Sequence, residues 1–212
     1  MGSPVNEEIK RLLEEKAKKM WRELREESGE VVEKVGPGSR HGIYVYDPST
    51  RKWRLLRTEG EAFRPGELGD GTYVVYFDNT RCPACRIHDK YWYPFIEEHG
   101  DRQGYFYVIV LCAWFEKDCD SEAAAKTFEE YLVKASPTTL AALAENGRVI
   151  YREKYEGVLD TNELLREIVL GFPERVEKAK RGEPVEPPCP DKYVSPRVEE
   201  LLRQLLQGRK KR

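Results

Sequence analysis

Cys82 and Cys85 form a Cys-x-x-Cys pair, and the segments on either side of it suit thiol–disulfide chemistry. An apolar, strand-like run, 73–77, precedes the pair, and a helix-like segment, 86–98, follows it. A helix N-terminus carries about half a positive charge and free N–H groups, so it favours the thiolate of the first cysteine. A second thiol one turn away can attack a mixed disulfide formed by the first. The spacing therefore predicts Cys82 as the nucleophile and Cys85 as the resolving thiol.

The neighbouring residues agree with these roles. Pro83 is acceptable in the first helical turn, which needs no N–H from it. Arg81 and Arg86 add positive charge that favours a Cys82 thiolate. Cys85 is expected to be the more buried thiol, with a normal or raised pKa.

Two other interpretations of the pair remain open from the residues alone. The cysteines could form an inert disulfide or simply pack in the core. Alternatively, Cys82, Cys85 and His88 read as C-x-x-C-x-x-H, and the second cysteine pair could complete a zinc shell. The long apolar strand before the pair favours the redox interpretation, with no bound metal and His88 on the surface of the helix.

Three further cysteines lie downstream. Cys112 and Cys119 are seven residues apart, and three interpretations stay open: a structural disulfide worth about 2–3 kcal/mol, two unpaired thiols, or a second exchanging pair that relays electrons. Cys189 lies in a proline-rich segment, where an exposed thiol could form an intermolecular bond.

Composition narrows the class of protein. The chain has 212 residues, 40% of them hydrophobic, which suits one substantial core with appendages. Charged residues make up 35%, above the usual ~25%, but 36 basic residues nearly balance 38 acidic ones. This balance argues against nucleic-acid or membrane partners. The sequence has no run of 18 apolar residues and no apolar leader, so we expect a cytoplasmic protein. Its high content of charged residues and low content of Met are typical of proteins from thermophiles.

The hydrophobic pattern predicts an α/β fold, with a central mixed sheet flanked by helices and helical extensions at both termini. We expect three units: an N-terminal helical extension over 1–40, a main domain over 41–171 that includes a hairpin at 43–57, and a C-terminal helical extension over 172–212. Within the main domain the predicted order is strand 72–78, helix 83–98, strand 105–111, helix 121–134 capped by Asp120, strands 138–144 and 149–154 joined by an Asn-Gly turn, and helix 161–170.

The terminal helices carry apolar stripes. The N-terminal helix is predicted over 5–27. In the C-terminal helix, capped by Ser195, the stripe consists of Val198, Leu201, Leu202, Leu205 and Leu206. Such a stripe must be buried on this domain or on a partner, and a homodimer through the terminal helices is one such arrangement.

The run Val74–Phe77, the motif Cys82-Pro83-Ala84-Cys85 and the downstream Ser136-Pro137-Thr138 together resemble the thioredoxin superfamily over about residues 72–171. The resemblance implies a thioredoxin-like fold, no bound cofactor, and a cis Pro137 beside the dithiol. It further implies that Pro83, Ala84, Ser136 and Pro137 line a groove in which the main chain of Ser136 pairs with a substrate backbone. Protein disulfides would be the substrates, and a thiol/disulfide reductase or oxidant would be the redox partner.

Two departures from the family pattern bear on activity. Many thioredoxins carry a buried acid where this chain has Tyr76, and Asp78 is a candidate substitute. The intervening Pro83-Ala84 also differs from the Gly-Pro of general reductants. The sequence thus predicts a protein-disulfide oxidoreductase, with an interaction or scaffold module whose dithiol is structural or binds zinc as the alternative. A peroxidase of the same superfamily is disfavoured, because the Pro-x-x-x-Thr/Ser-x-x-Cys run is missing.

Overall fold

A computed structural model of the chain describes residue 15 and residues 19–23 and 29–210, leaving out the side chains of 162–164 and 206–210. Eight strands form one mixed sheet in the order β1-β3-β2-β5-β4-β6-β7-β8. The strands are β1 (Val31–Val32), β2 (Gly42–Asp47), β3 (Lys52–Arg57), β4 (Gly71–Asn79), β5 (Tyr105–Cys112), β6 (Thr138–Glu145), β7 (Arg148–Glu156) and β8 (Tyr193–Val194).

Five helices are described by their full bounds: α1 (Pro83–His99), α2 (Glu122–Glu130), α3 (Asn162–Leu170), α4 (Phe172–Lys180) and α5 (Pro196–Lys210). From β4 to α3 the elements follow the strand and helix order expected from the hydrophobic pattern. The start of α2 differs from the expectation, because the Ser121 side chain accepts the N–H of Ala124 at 3.1 Å and is the N-cap in place of Asp120. The helix also ends at Glu130 rather than residue 134, and Leu132 has φ of 50°.

β4 lies at the centre of the molecule. It pairs in parallel with β5 and antiparallel with β6, and eight of its nine residues are buried. Since side chains alternate along a strand, Val74 and Tyr76 enter the apolar cluster under α1, while Val75 and Phe77 enter the cluster on the α2 side. Both faces of this strand are therefore core, and its C-terminal end delivers the Cys-x-x-Cys segment to the edge of the sheet.

The remaining strands extend the sheet on both sides. β2 and β3 pair antiparallel as a hairpin, and β2 joins β5. On the other side β6 and β7 form the hairpin around the Asn146-Gly147 turn, where both residues have positive φ. At the C-terminal end, β8 pairs with β7 and α4 packs Phe172 and Val176 against Ala141 of β6.

The terminal helices are described only in part. Most of the helix predicted over 5–27 lies outside the described residues, but 19–23 are helical and Met20 and Trp21 pack against the α2-side cluster. In α5, the stripe expected to be buried is largely open: Val198 is 46% exposed, Leu201 52% and Leu205 66%. The part of the chain that the structure describes therefore leaves these three side chains largely uncovered. No helix among the described residues is long and apolar enough to cross a membrane.

Candidate active site

Cys82 and Cys85 lie together at the N-terminus of α1. Cys82 is the N-cap, with extended φ and ψ of −95° and 110°, and Pro83 begins the helix. The Cys82 Sγ accepts the backbone N–H of Cys85 at 3.1 Å. A sulfur in this position accepts an N–H hydrogen bond and lies at the positive end of the helix dipole.

Ser136 and Pro137 lie against both thiols. Their peptide bond is cis. The Cys82 thiol donates to the carbonyl oxygen of Ser136 at 3.5 Å, and the Cys85 Sγ lies 2.9 Å from the Ser136 Oγ. The segment before β6 is thus brought to the dithiol from more than fifty residues away in the chain. Pro83 is exposed and Ala84 half-buried at the same edge, so all four predicted substrate-binding residues border the cysteines.

The two cysteines differ in electrostatic environment. Cys85 is fully buried, and burial raises the pKa of its thiol well above the usual value, with a further contribution from the negative charge of Asp78. Cys82 is 4% exposed. The deeper thiol is therefore held protonated, as expected for a resolving cysteine that loses its proton only when it attacks.

Asp78, the candidate for the missing buried acid, faces this site. It is fully buried, and its Oδ1 accepts from the Arg86 guanidinium. Its Oδ2 is also buried and has no hydrogen-bond partner among the described residues. The charge of this buried carboxylate reaches Cys85 and raises the pKa of its thiol.

A second carboxylate, Asp89, belongs to the same network and was not identified from the sequence. The hydroxyl of Tyr76 is 3.1 Å from Asp89 Oδ1, and Arg86 Nη1 is 3.3 Å from Asp89 Oδ2. Burial, followed by the charge of Asp78, raises the pKa of Asp89 to about 7. The signal was present in the spacing, because residues 85 and 89 are four apart and share one face of the helix.

His88 is not on the surface, as expected from the sequence, but fully buried. Its Nδ1 accepts the N–H of Leu159 at 3.2 Å, and its ring packs edge-on against Tyr76 at 4.8 Å between centroids. Burial lowers the pKa of His88 to about 3, so the imidazole is neutral. The expectation failed because its partner comes from a loop seventy residues downstream.

Cys112 and Cys119 form a disulfide. Two of the three interpretations of their spacing, a disulfide and an exchanging pair, remain compatible with this bond, and unpaired thiols do not. The bond also removes both residues from the zinc shell considered above. No cluster of three or more His, Cys, Asp or Glu side chains in the described part of the chain is arranged to hold a metal ion.

Cys189 differs from the expectation of an exposed thiol. It is only 7% exposed, and its Sγ donates to Asp191 Oδ1 at 2.9 Å.

A groove of about 710 Å³ lies away from all five cysteines, between β7, the end of α2 and α5, where Tyr131, Arg152 and Arg203 contribute to its wall. The dithiol site is therefore distinct from this groove.

No protein-family model matches the chain, and no curated protein matches its sequence. Among solved structures, thioredoxin from Aeropyrum pernix is similar at 17% identity and a TM-score of 0.36, over 68% of this chain and 97% of that one. Chloroplastic thioredoxin z is similar at 19% identity and a TM-score of 0.37, over 55% and 96% of the two chains. At these values the similarity assigns neither the fold nor an activity, so both rest on the geometry of the chain itself.

Proposed function

We propose that the protein is a thioredoxin-like thiol–disulfide oxidoreductase that acts on protein disulfides through Cys82 and Cys85. One observation carries the proposal: the Cys82 sulfur caps a helix and accepts the Cys85 N–H, beside a resolving thiol and the cis Ser136–Pro137 bond. This arrangement activates one thiol and keeps the other in reserve. No bound cofactor is needed, because the dithiol itself carries two electrons.

In the reducing direction, the Cys82 thiolate attacks one sulfur of a substrate disulfide. A Cys82–substrate bond forms, and the second substrate sulfur leaves as a thiolate that takes up a proton. Cys85 then loses its proton, with Asp78 as the nearby acceptor, and attacks Cys82. The Cys82–Cys85 disulfide forms and the substrate leaves with both sulfurs reduced, so the two electrons come from the dithiol. A thiol/disulfide reductase then returns two electrons to the oxidised pair, and in the reverse, oxidising cycle an oxidant would instead restore the Cys82–Cys85 disulfide. We place this cycle in the cytoplasm.

Reduction of insulin driven by dithiothreitol tests the proposal. The wild-type protein should accelerate precipitation of the insulin B chain, and Cys82→Ser should remove the acceleration. Cys85→Ser should instead accumulate a mixed disulfide between Cys82 and substrate, visible on a non-reducing gel. Cys189→Ser is the matched control, because this thiol is buried against Asp191 and has no role in the cycle. Wild-type activity at background would overturn the proposal.

The alternative is an interaction or scaffold module with a structural or zinc-binding dithiol. Two observations favour it: Tyr76 occupies the position of the usual buried acid, and Cys82 is 4% exposed. Such a module would show no insulin reduction above background. It would also leave the oxidation state of Cys82 and Cys85 unchanged in a glutathione series, or hold stoichiometric zinc.

A further inference from the structure

The segment closed by the Cys112–Cys119 disulfide, residues 112–119, is called here the disulfide loop. It follows β5, whose last residue Cys112 is in register with Asn79 at the end of β4. Because β4 and β5 are parallel, their carboxyl ends meet at one edge of the sheet. The disulfide loop therefore emerges next to the segment that leads into Cys82.

Hydrogen bonds join the disulfide loop to that segment. The N–H of Thr80 donates to the Cys112 carbonyl at 2.9 Å, and the N–H of Arg81 donates to the Ala113 carbonyl at 3.4 Å. The Asn79 side chain accepts the N–H of Phe115 at 2.7 Å. The Arg81 guanidinium also pairs with Asp118. The residues directly before the nucleophile are thus held to the loop at three successive positions.

The same loop reaches the other wall of the dithiol site. Glu116 Oε1 lies 2.9 Å from the Nζ of Lys134, which stands two residues before Ser136. The Phe115 ring packs edge-on against Phe128 of α2, with 6.0 Å between centroids. Within the loop, the N–H groups of Ala113 and Trp114 both donate to the Asp118 carbonyl. The disulfide loop therefore has a defined shape and is tied both to the segment before Cys82 and, through Lys134, to the segment before Ser136.

Trp114 is a large, exposed aromatic side chain on the disulfide loop. Its side chain is 46% exposed, although its ring packs edge-on against Phe115 with 5.1 Å between centroids. It follows Ala113, whose carbonyl binds the residue before Cys82. A large aromatic side chain on a fixed loop can bury considerable apolar area on a partner at a low cost in conformational entropy.

We propose that Trp114 is a specificity-determining residue that packs against an apolar side chain of the substrate polypeptide next to the attacked disulfide. This inference rests on the proposed function and names a feature that a substrate must have. We take the substrate to be a polypeptide, because it has to contact both Cys82, which is 4% exposed, and Trp114, which is 46% exposed on the adjoining loop. A small disulfide that reaches Cys82 has no chain to extend over the indole.

The test compares Trp114→Ala with the wild-type protein on two substrates, insulin and hydroxyethyl disulfide. For insulin we expect kcat/KM to fall about tenfold, the scale of an aromatic contact at the edge of an interface. The loss should appear mainly in KM. For hydroxyethyl disulfide the rate should stay within about twofold of wild type, and Trp114→Phe should recover most of the insulin activity. Ile150→Ala is the matched control, because Ile150 is 44% exposed on β7 and lines the separate groove.

Three outcomes would overturn the inference, and they are distinguishable. If kcat/KM for insulin is unchanged in Trp114→Ala, Trp114 does not contact the substrate. An equal loss on both substrates shows that the residue supports the dithiol or the fold instead, and a thermal unfolding curve separates these two. An inactive wild-type protein on both substrates overturns the proposed function itself, whereas an active wild type with an unaffected variant overturns the Trp114 assignment alone.

Discussion

Asp78, Asp89 and Arg86 form a charged network at the start of α1, and within it Asp78 acts directly on the Cys85 thiol. Asp78 is fully buried, and its charge follows burial as a cause of the raised pKa of the Cys85 thiol. Arg86 lies between the two carboxylates and compensates part of their charge. The proton on Cys85 therefore has a carboxylate acceptor nearby but no excess positive charge to draw it off.

Replacing the nearer carboxylate should make Cys85 more acidic. In the Asp78→Asn variant the pKa of the Cys85 thiol should fall, because a negative charge that raises it is lost and the charge of Arg86 is less compensated. The measurement is thiolate absorbance against pH in a Cys82→Ser background. Asp118→Asn, an exposed carboxylate near Arg81, is the control, and an unchanged or higher Cys85 pKa in Asp78→Asn would contradict the assignment.

Because its pKa is raised, Asp89 makes the free energy of unfolding fall as the pH rises. Its folded pKa of about 7 lies above its ordinary value near 3.8, so the folded protein binds this proton more tightly than the unfolded chain. Stability from this group is full below about pH 4 and is lost as the pH rises to about 7. The loss is at most about 4 kcal/mol, taking about 1.4 kcal/mol per unit.

The Asp89→Asn variant removes that loss. Relative to wild type, its free energy of unfolding should increase between pH 4 and pH 8, meaning that the variant gains stability, measured by urea denaturation at both ends of the range. Glu97→Gln changes an exposed carboxylate on the same helix and should show no such trend. A difference between Asp89→Asn and wild type that is constant with pH would show that Asp89 keeps an ordinary pKa.

At the scale of elements, a buried ion pair joins the sheet to the C-terminal helices. Arg175 of α4 donates to both carboxylate oxygens of Glu153 on β7, at 2.9 and 2.8 Å. Tyr151 and Tyr155 donate to the same carboxylate, and Arg175 also donates to the carbonyls of Glu167 and Ile168 near the end of α3. Each charged group therefore has several hydrogen-bond partners, which a buried pair requires.

Removing one partner should be costly. Arg175→Ala leaves the Glu153 carboxylate buried without its counterion, so we expect a loss of about 3–5 kcal/mol in the free energy of unfolding. Urea or thermal denaturation measures it. The control is Arg181→Ala, which breaks an exposed pair with Glu183 just after the same helix and should leave the free energy of unfolding nearly unchanged. Equal effects of the two variants would contradict a structural role for the buried pair.

The element order could be predicted because it depends on local signals. A few consecutive residues are enough to identify the apolar run of β4, the Cys-x-x-Cys motif and the Asn146-Gly147 turn. The position of Pro137 came from the resemblance to a known family. Burial of particular polar side chains could not be predicted. His88 meets Leu159, and Arg175 meets Glu153 across 22 residues, so neither partner lies within a window that periodicity samples. The Cys112–Cys119 disulfide was one of three open interpretations for a different reason, because a seven-residue spacing does not show whether the two thiols are bonded.

At the scale of the whole molecule, the open face of α5 bears on the predicted homodimer. Val198, Leu201 and Leu205 project to solvent at spacings of three and four residues, which matches a helix-packing seam. We therefore expect the wild-type protein to dimerise through this face and the double variant Leu201→Glu, Leu205→Glu to be monomeric. Sedimentation equilibrium measures the state, and Val149→Glu, at an exposed position on β7, is the control. A monomeric wild type at micromolar concentration would contradict the prediction.

The redox equilibrium of Cys82 and Cys85 in a glutathione series would decide between an oxidoreductase and a scaffold. Alkylation and mass spectrometry read the oxidation state, and metal content is measured on the same sample. For an oxidoreductase we expect one two-electron transition of the Cys82–Cys85 pair, with no stoichiometric metal. About 30 mV in its midpoint corresponds to about 1.4 kcal/mol, so the midpoint also separates a reductant from an oxidant. A Cys82–Cys85 pair that never exchanges across the series, or that holds stoichiometric zinc, would overturn the oxidoreductase proposal.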